Sequence, residues 1–260
     1  MNAIVATNAS PLRHGPVAIA WGALGGLGAA MVVPYVLKLM PPAQPLPMPI
    51  WAVAISAAIQ NALLIGLLGW LALRVAYPLG LDTPVMRRLL RCGDARPVSA
   101  SDWRLAVLLG IGAGVAIVFA DRAFAPFMPK LDLPGGAPGA AAGLLASFYG
   151  GISEELFLRL IVMSFVAASL ARLRRSALTP TIAWSAIAVA ALLFGVGHLP
   201  AAAKIAPLDA VFITRTLLLN GVVGVICGWL YWRRGLELAI AAHFSADIVL
   251  HVLVPLLHAE

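Results

Sequence analysis

The chain has 260 residues, 62% of them apolar and 11% charged, with a mean hydropathy of +0.95 and a formal net charge of +7. Soluble domains carry about 25% charged residues, so this composition excludes a soluble globular fold. It predicts an all-α, polytopic transmembrane helix bundle of about seven to eight helices. The positive balance does not read as a nucleic-acid footprint, because the basic residues fall in short loops, where they encode topology.

Met1 to Gly15 reads as a short polar tail. The first spanning helix is expected over about Pro16 to Leu39, with Gly22 and Gly26 as a close-packing face and Pro34 as a kink. Its length and Gly-rich core distinguish it from a signal peptide. A Pro-rich connector follows, Met40 to Pro49, and then a helix over about Ile50 to Tyr77 whose Gln60 and Asn61 are placed to bond to a neighbour. Pro78 to Trp103 reads as the longest polar loop. The third span is expected over about Arg104 to Asp121, with Gly110 and Gly114 one turn apart. Arg122 to Gly139 is a Pro/Gly-rich loop carrying Phe124, Phe127 and Met128, suited to the interface or to capping an entrance. Then come a fourth span from Ala140, a fifth from Pro180 to His198 that stops at Leu199-Pro200, a sixth over about Ala210 to Trp232, and a seventh over Leu236 to Leu257. Trp21, Trp51, Trp70, Trp103 and Trp232 read mostly as interfacial anchors. Cys92 and Cys227 lie in different surroundings and suggest neither a disulfide framework nor a CxxC metal site.

Seven alternating spans put Arg13, Arg74, Arg87, Arg88, Arg91, Arg96, Arg104, Arg172, Arg174, Arg175, Arg233 and Arg234 at one end of the bundle. The other end has Lys38, Arg122, Lys130 and Lys204. The positive-inside rule then predicts a cytoplasmic N-terminus and an exterior C-terminus.

The fourth span holds the chemistry. In Gly150-Gly151-Ile152-Ser153-Glu154-Glu155-Leu156-Phe157-Leu158-Arg159, two carboxylates and a guanidinium interrupt about 30 otherwise apolar residues, Ala140 to Ala171. Each charged side chain near a bilayer centre costs roughly 2.5–3.5 kcal/mol on insertion scales. Glu155 and Arg159 are four apart and share a face, so they can pair. Glu154 lies about 100° round an ideal helix from Glu155 and is left as the working group. The bland alternative is an ion pair that only holds helices together. The fifth span adds His198, four residues after Phe194. The seventh adds His243, Asp247 and His251 at successive four-residue steps. Helix-borne Glu and His residues are how bundles build metal or acid–base sites.

These three motifs, Glu154-Glu155-x-x-x-Arg159, Phe194-x-x-x-His198 and His243-x-x-x-Asp247, resemble in order and approximate spacing those of the CPBP family. That family holds the CAAX prenyl endoproteases and the bacteriocin-processing or immunity (Abi) proteins. The resemblance covers about Ala140 to His258. It divides the single membrane domain into N-terminal helices and loops over 1–139 and a protease-like core over 140–258. It implies an intramembrane endopeptidase acting on a membrane-associated protein or peptide, in a multi-pass protein of the plasma (bacterial inner) membrane whose surroundings are the lipid bilayer. Glu154 would activate water, Glu155 and Arg159 would support it, His198 would position or deprotonate the water, and His243 with Asp247 would stabilise the oxyanion or complete a metal site. A divalent metal such as zinc on Glu154, His198 and His243 is one form of the mechanism; glutamate-activated water with no metal is the other. Two departures stand out: Leu158 and Leu160 flank Arg159 where Phe and Gly are common, and Asp247 stands where many members have Asn. An ionised Asp cannot donate to an oxyanion, which favours a ligand role or a protonated Asp247.

Simpler readings exist for each residue. His198 can cap its helix, His243 and Asp247 can form a hydrogen bond within one helix, and His251 can be a packing or pore-facing residue. Arg215 and Asn220 can bond between helices or line a cavity. The rival functions are a non-catalytic bacteriocin-immunity or scaffold protein and a proton- or ion-coupled transporter, with a two-histidine haem site more remote. Straight ideal helices put Glu154, His243 and His198 at different depths, so convergence requires a distorted or displaced helix.

Overall fold

The computed structural model describes residues 12–39, 48–128 and 138–257. Most of the N-terminal tail, most of the Pro-rich connector, Lys130 and His258 lie outside the described residues. Among the described residues eight helices account for the fold: α1 His14–Leu39, α2 Ile50–Leu79, α3 Pro84–Leu90, α4 Ala100–Phe127, α5 Ala140–Leu173, α6 Pro180–Ala202, α7 Ala210–Arg234 and α8 Leu236–Leu257. All except α3 are long and apolar enough to cross a membrane. The protein is an integral, multi-pass, all-α membrane protein, as its composition predicts.

Helix boundaries follow local chemistry. In α1 the regular helix breaks at Val32, two residues before Pro34, whose missing N–H leaves a carbonyl of the preceding turn unpaired. The expected loop 78–103 is more ordered than predicted, since it contains α3. α4 starts at Ala100 rather than Arg104 because Ser99 and Asp102 form a reciprocal capping box. α6 runs through Pro200 to Ala202. Proline usually ends a helix through its lost donor, but here the helix continues for two residues beyond it. Asn61 donates to the Ala57 carbonyl of its own helix at 2.9 Å and Gln60 is exposed, so this pair makes no bridge to a neighbour among the described residues. Trp21 is a core residue, not an interfacial anchor.

α5 is central and contacts α1, α2, α6, α7 and α8. Around it α1 pairs with α2, α4 with α8, and α6 with α7. Small residues set the separations. A Cβ on Gly22 would stand 2.7 Å from the Ala62 carbonyl oxygen and one on Gly26 2.6 Å from that of Ala58, so the predicted packing face of α1 abuts α2. Gly110 lets α4 approach the Ala242 carbonyl of α8 so closely that a methyl group there would overlap it. Gly112, on the same helix, has open space at the equivalent point. Gly110→Ala is therefore expected to destabilise the bundle by about 1–3 kcal/mol through overpacking, while Gly112→Ala is near neutral. Thermal or SDS unfolding of the two variants in detergent checks this.

One end of the bundle is stitched together by buried polar groups. Arg87 of α3 is fully buried. It pairs with Asp82, donates to the Cys92 carbonyl at 3.1 Å and to His14 Nδ1 at 3.2 Å, and lies over the Tyr77 ring. The α7–α8 turn joins the same cluster. Leu236 N–H donates to the Asp82 carbonyl, and Met86 N–H donates to Glu237 Oε1 at 2.9 Å. Gly235 makes this turn at φ 99°, with Pro84 packed where a side chain would start. The sequence reading gave Arg87 only a topological role; a buried arginine in a polar loop carries no periodic signal that marks it.

Candidate active site

α5 is not an ideal α-helix where it carries the first motif. Tyr149–Glu154 and Leu156–Met163 have π-type, i→i+5 hydrogen bonding, and Ile248–Leu253 of α8 does too. Such widened turns recur at functional sites. The 100° separation expected for an ideal helix therefore does not apply, but the sorting of the two carboxylates holds. Glu155 is fully buried and accepts from Arg159 Nε at 3.0 Å and Nη2 at 3.2 Å, a bidentate pair with an arginine that is itself fully buried. The Glu154 side chain is 19% exposed and lines a cavity of about 970 Å³.

Histidines from two other helices meet these carboxylates. His243 Nδ1 lies 2.8 Å from Glu155 Oε1, and its Nε2 lies 3.8 Å from Glu154 Oε2 and 3.7 Å from Asp247 Oδ1. His198 Nδ1 lies 2.8 Å from the Phe194 carbonyl oxygen, and its Nε2 lies 3.9 Å from Glu154 Oε1. A carboxylate or carbonyl oxygen only accepts, so each Nδ1 carries the proton. Both rings then turn Nε2 toward Glu154. Phe194 sets the ring planes: its centroid is 4.8 Å from that of His198 and 5.4 Å from that of His243, both edge-on, and the Arg159 guanidinium lies over it at 5.5 Å.

All six predicted site residues, Glu154, Glu155, Arg159, His198, His243 and Asp247, therefore belong to one cluster. The depth mismatch of straight helices is resolved by the widened turns of α5 and by the continuation of α6, which leaves His198 four residues before the helix end rather than at it. Several neighbours carried no motif signal. Gly150 brings the α5 backbone against Asp247 and His243, where a Cβ would overlap the Asp247 carboxylate. Ser153 Oγ donates to the Gly25 carbonyl at 2.9 Å, tying α1 to the motif. His251 lies 3.8 Å from Asp247 and 3.4 Å from the Tyr35 hydroxyl, and lines the cavity. Arg215 pairs across to Asp121 of α4, whereas Asn220 donates to Thr216 of its own helix; both line the cavity.

Among the described residues one set of side chains has metal-ligand spacing. Glu155, Cys227 and His243 place one ligand-type atom each within 4.8 Å of one another. There Glu155 is already committed to Arg159 and His243, and the thiol donates to the Ala239 carbonyl, so this set is packed core. Glu154, His198 and His243 instead face the cavity through one carboxylate and two Nε2 atoms. The two Nε2 atoms lie 3.9 and 3.8 Å from different oxygens of Glu154, Oε1 and Oε2 respectively. Each imidazole also has the Nδ1 partner that orients metal-binding histidines. The ligand atoms of these three residues do not all come within 4.8 Å of one another, so the set is not drawn together as a metal site among the described residues.

The cavity lies in one half of the bundle. It is lined by the C-terminal parts of α1, α4, α6 and α8 and the N-terminal parts of α5 and α7, which in an alternating bundle are the same end, opposite the Arg87 cluster.

Residues 137–249 match the family model for Type II CAAX prenyl endopeptidase Rce1-like proteins, a segment containing all three motifs and less than half of the chain. This is consistent with a CPBP family intramembrane protease and supports a CAAX-type endopeptidase as the class of protein. Comparison with curated proteins and with solved structures gave no match.

Proposed function

We propose that the protein hydrolyses a peptide bond of a membrane-associated protein or peptide, with Glu154 as the general base. The observation that carries this reading is the convergence of two histidine Nε2 atoms, from α6 and α8, on the two oxygens of one cavity-facing carboxylate. A water held among these three groups would give its proton to Glu154 as it attacks the scissile carbonyl. Glu154 would then return that proton to the leaving amine. Arg159 balances the Glu155 charge, and Glu155 fixes the His243 ring through Nδ1. His198 Nε2 accepts from the water and holds its lone pair toward the substrate. When His243 carries a second proton, its Nε2–H is a donor for the developing oxyanion, beside Asp247.

The resemblance implies a divalent ion on Glu154, His198 and His243, which would have to draw closer than they lie here; when bound, the ion would lower the pKa of the water and polarise the carbonyl. Elemental analysis of purified protein separates the two forms. In the metal form, about one zinc per chain is expected in the wild type and is lost in His198→Ala and His243→Ala; zinc-free protein that still cleaves rejects it. A cytoplasmic N-terminus would turn the cavity half of the bundle away from the cytoplasm. Protease protection of tags at each terminus tests that orientation.

A further inference from the structure

Asp121 and Arg215 meet on the cavity wall, and the details of their pairing are not those of a simple latch between helices. Arg215 Nε and Nη2 both lie 2.5 Å from one oxygen, Asp121 Oδ1. This occupies a single edge of the guanidinium. Among the described residues Nη1 has no partner. The side chains are 27% and 45% exposed, and both line the same cavity as Glu154. A pair whose only role is to join α4 and α7 gains most from burial and from use of both carboxylate oxygens, as Glu155 and Arg159 do. Arg122 and Asn220 share this part of the wall. The carboxylates of Glu154 and Asp247 lie deeper, toward the middle of α5 and α8. The cavity is thus acidic where water would be activated and carries guanidinium groups nearer the helix ends.

We infer that Arg215 is a specificity-determining residue that receives a substrate carboxylate, such as a free peptide C-terminus, on the guanidinium edge that Asp121 leaves open. A planar guanidinium binds a carboxylate with two parallel hydrogen bonds, which an ammonium cannot reproduce. Asp121 holds the other edge and so fixes the plane of the fork. The carboxylate end of a peptide anchored there directs the preceding chain toward Glu154. This assignment rests on the proposed cleavage of a peptide in the same cavity.

The test separates binding from cleavage. Two fluorescent farnesylated peptides, identical except for a free or an amidated C-terminus, are titrated into purified Glu154→Gln protein in nanodiscs. The free acid is expected to bind about tenfold more tightly than the amide. Adding Arg215→Ala should abolish the difference by weakening the acid alone, and Arg215→Lys should restore only part of it. Asp121→Asn leaves the arginine in place and should keep or increase the preference for the acid; a merely structural pair would lose affinity for both peptides. Equal affinities for the two peptides, no saturable binding of either, or an unchanged preference in Arg215→Ala overturns the assignment. If preferential binding holds while wild-type protein cleaves neither peptide, the carboxylate site stands and the cleavage reading falls.

Discussion

Glu154→Gln is expected to lower peptide cleavage by about 10²–10⁴-fold, the range for losing a general base, while leaving the bundle folded. Gln keeps the shape and the hydrogen-bonding capacity but cannot take a proton. The side chain faces the cavity, and its buried partner His243 keeps Glu155 and Asp247 as neighbours, so its neutralisation strands no charge in the core. Cleavage of a membrane peptide by purified wild-type and variant protein, with melting curves in parallel, is the measurement. Wild-type rates in a folded variant would remove Glu154 from the mechanism and favour a non-catalytic immunity or scaffold role.

Arg159→Met is expected to have the opposite profile, a loss of fold before any specific loss of chemistry. Breaking one partner of a buried pair costs about 3–5 kcal/mol, because the remaining charge is left uncompensated. Here that charge would be Glu155, fully buried. The double variant Glu155→Gln/Arg159→Met removes both charges and should recover much of the stability. It should not recover full activity. His243 would lose the ionised acceptor at 2.8 Å from its Nδ1, and loss of such an orienting partner typically costs about 10–100-fold. Unfolding midpoints and cleavage rates measured on both variants read the two effects separately; a stable, fully active Arg159→Met protein would show that the pair supports neither.

The parts of the fold legible in the sequence were those with strong one-dimensional signals. Seven long apolar runs specified the spans, and charged residues inside them specified the site, because a carboxylate in an apolar helix has few structural excuses. The four-residue spacing of Glu155 and Arg159 correctly predicted their pairing. What was not legible depended on departures from ideal helices or on distant partners. Nothing in Tyr149–Met163 announces i→i+5 bonding, so the depths of Glu154 and His198 looked incompatible. Pro200 reads as a stop by its missing donor, yet α6 passes through it. Asp121 and Arg215 are 94 residues apart, and only the packing of α4 on α7 makes them neighbours. Trp21 looked like an anchor by its place near a helix end, but it packs inward.

The two ends of this bundle are unequal. Around Arg87, polar groups tie α1, α2, α3 and the α7–α8 turn together, whereas the opposite half encloses the cavity that reaches Glu154. The cavity belongs to one half only, so sidedness is built into the architecture. A molecule inserted upside down would keep every distance around Glu154 and present that cavity to the opposite compartment.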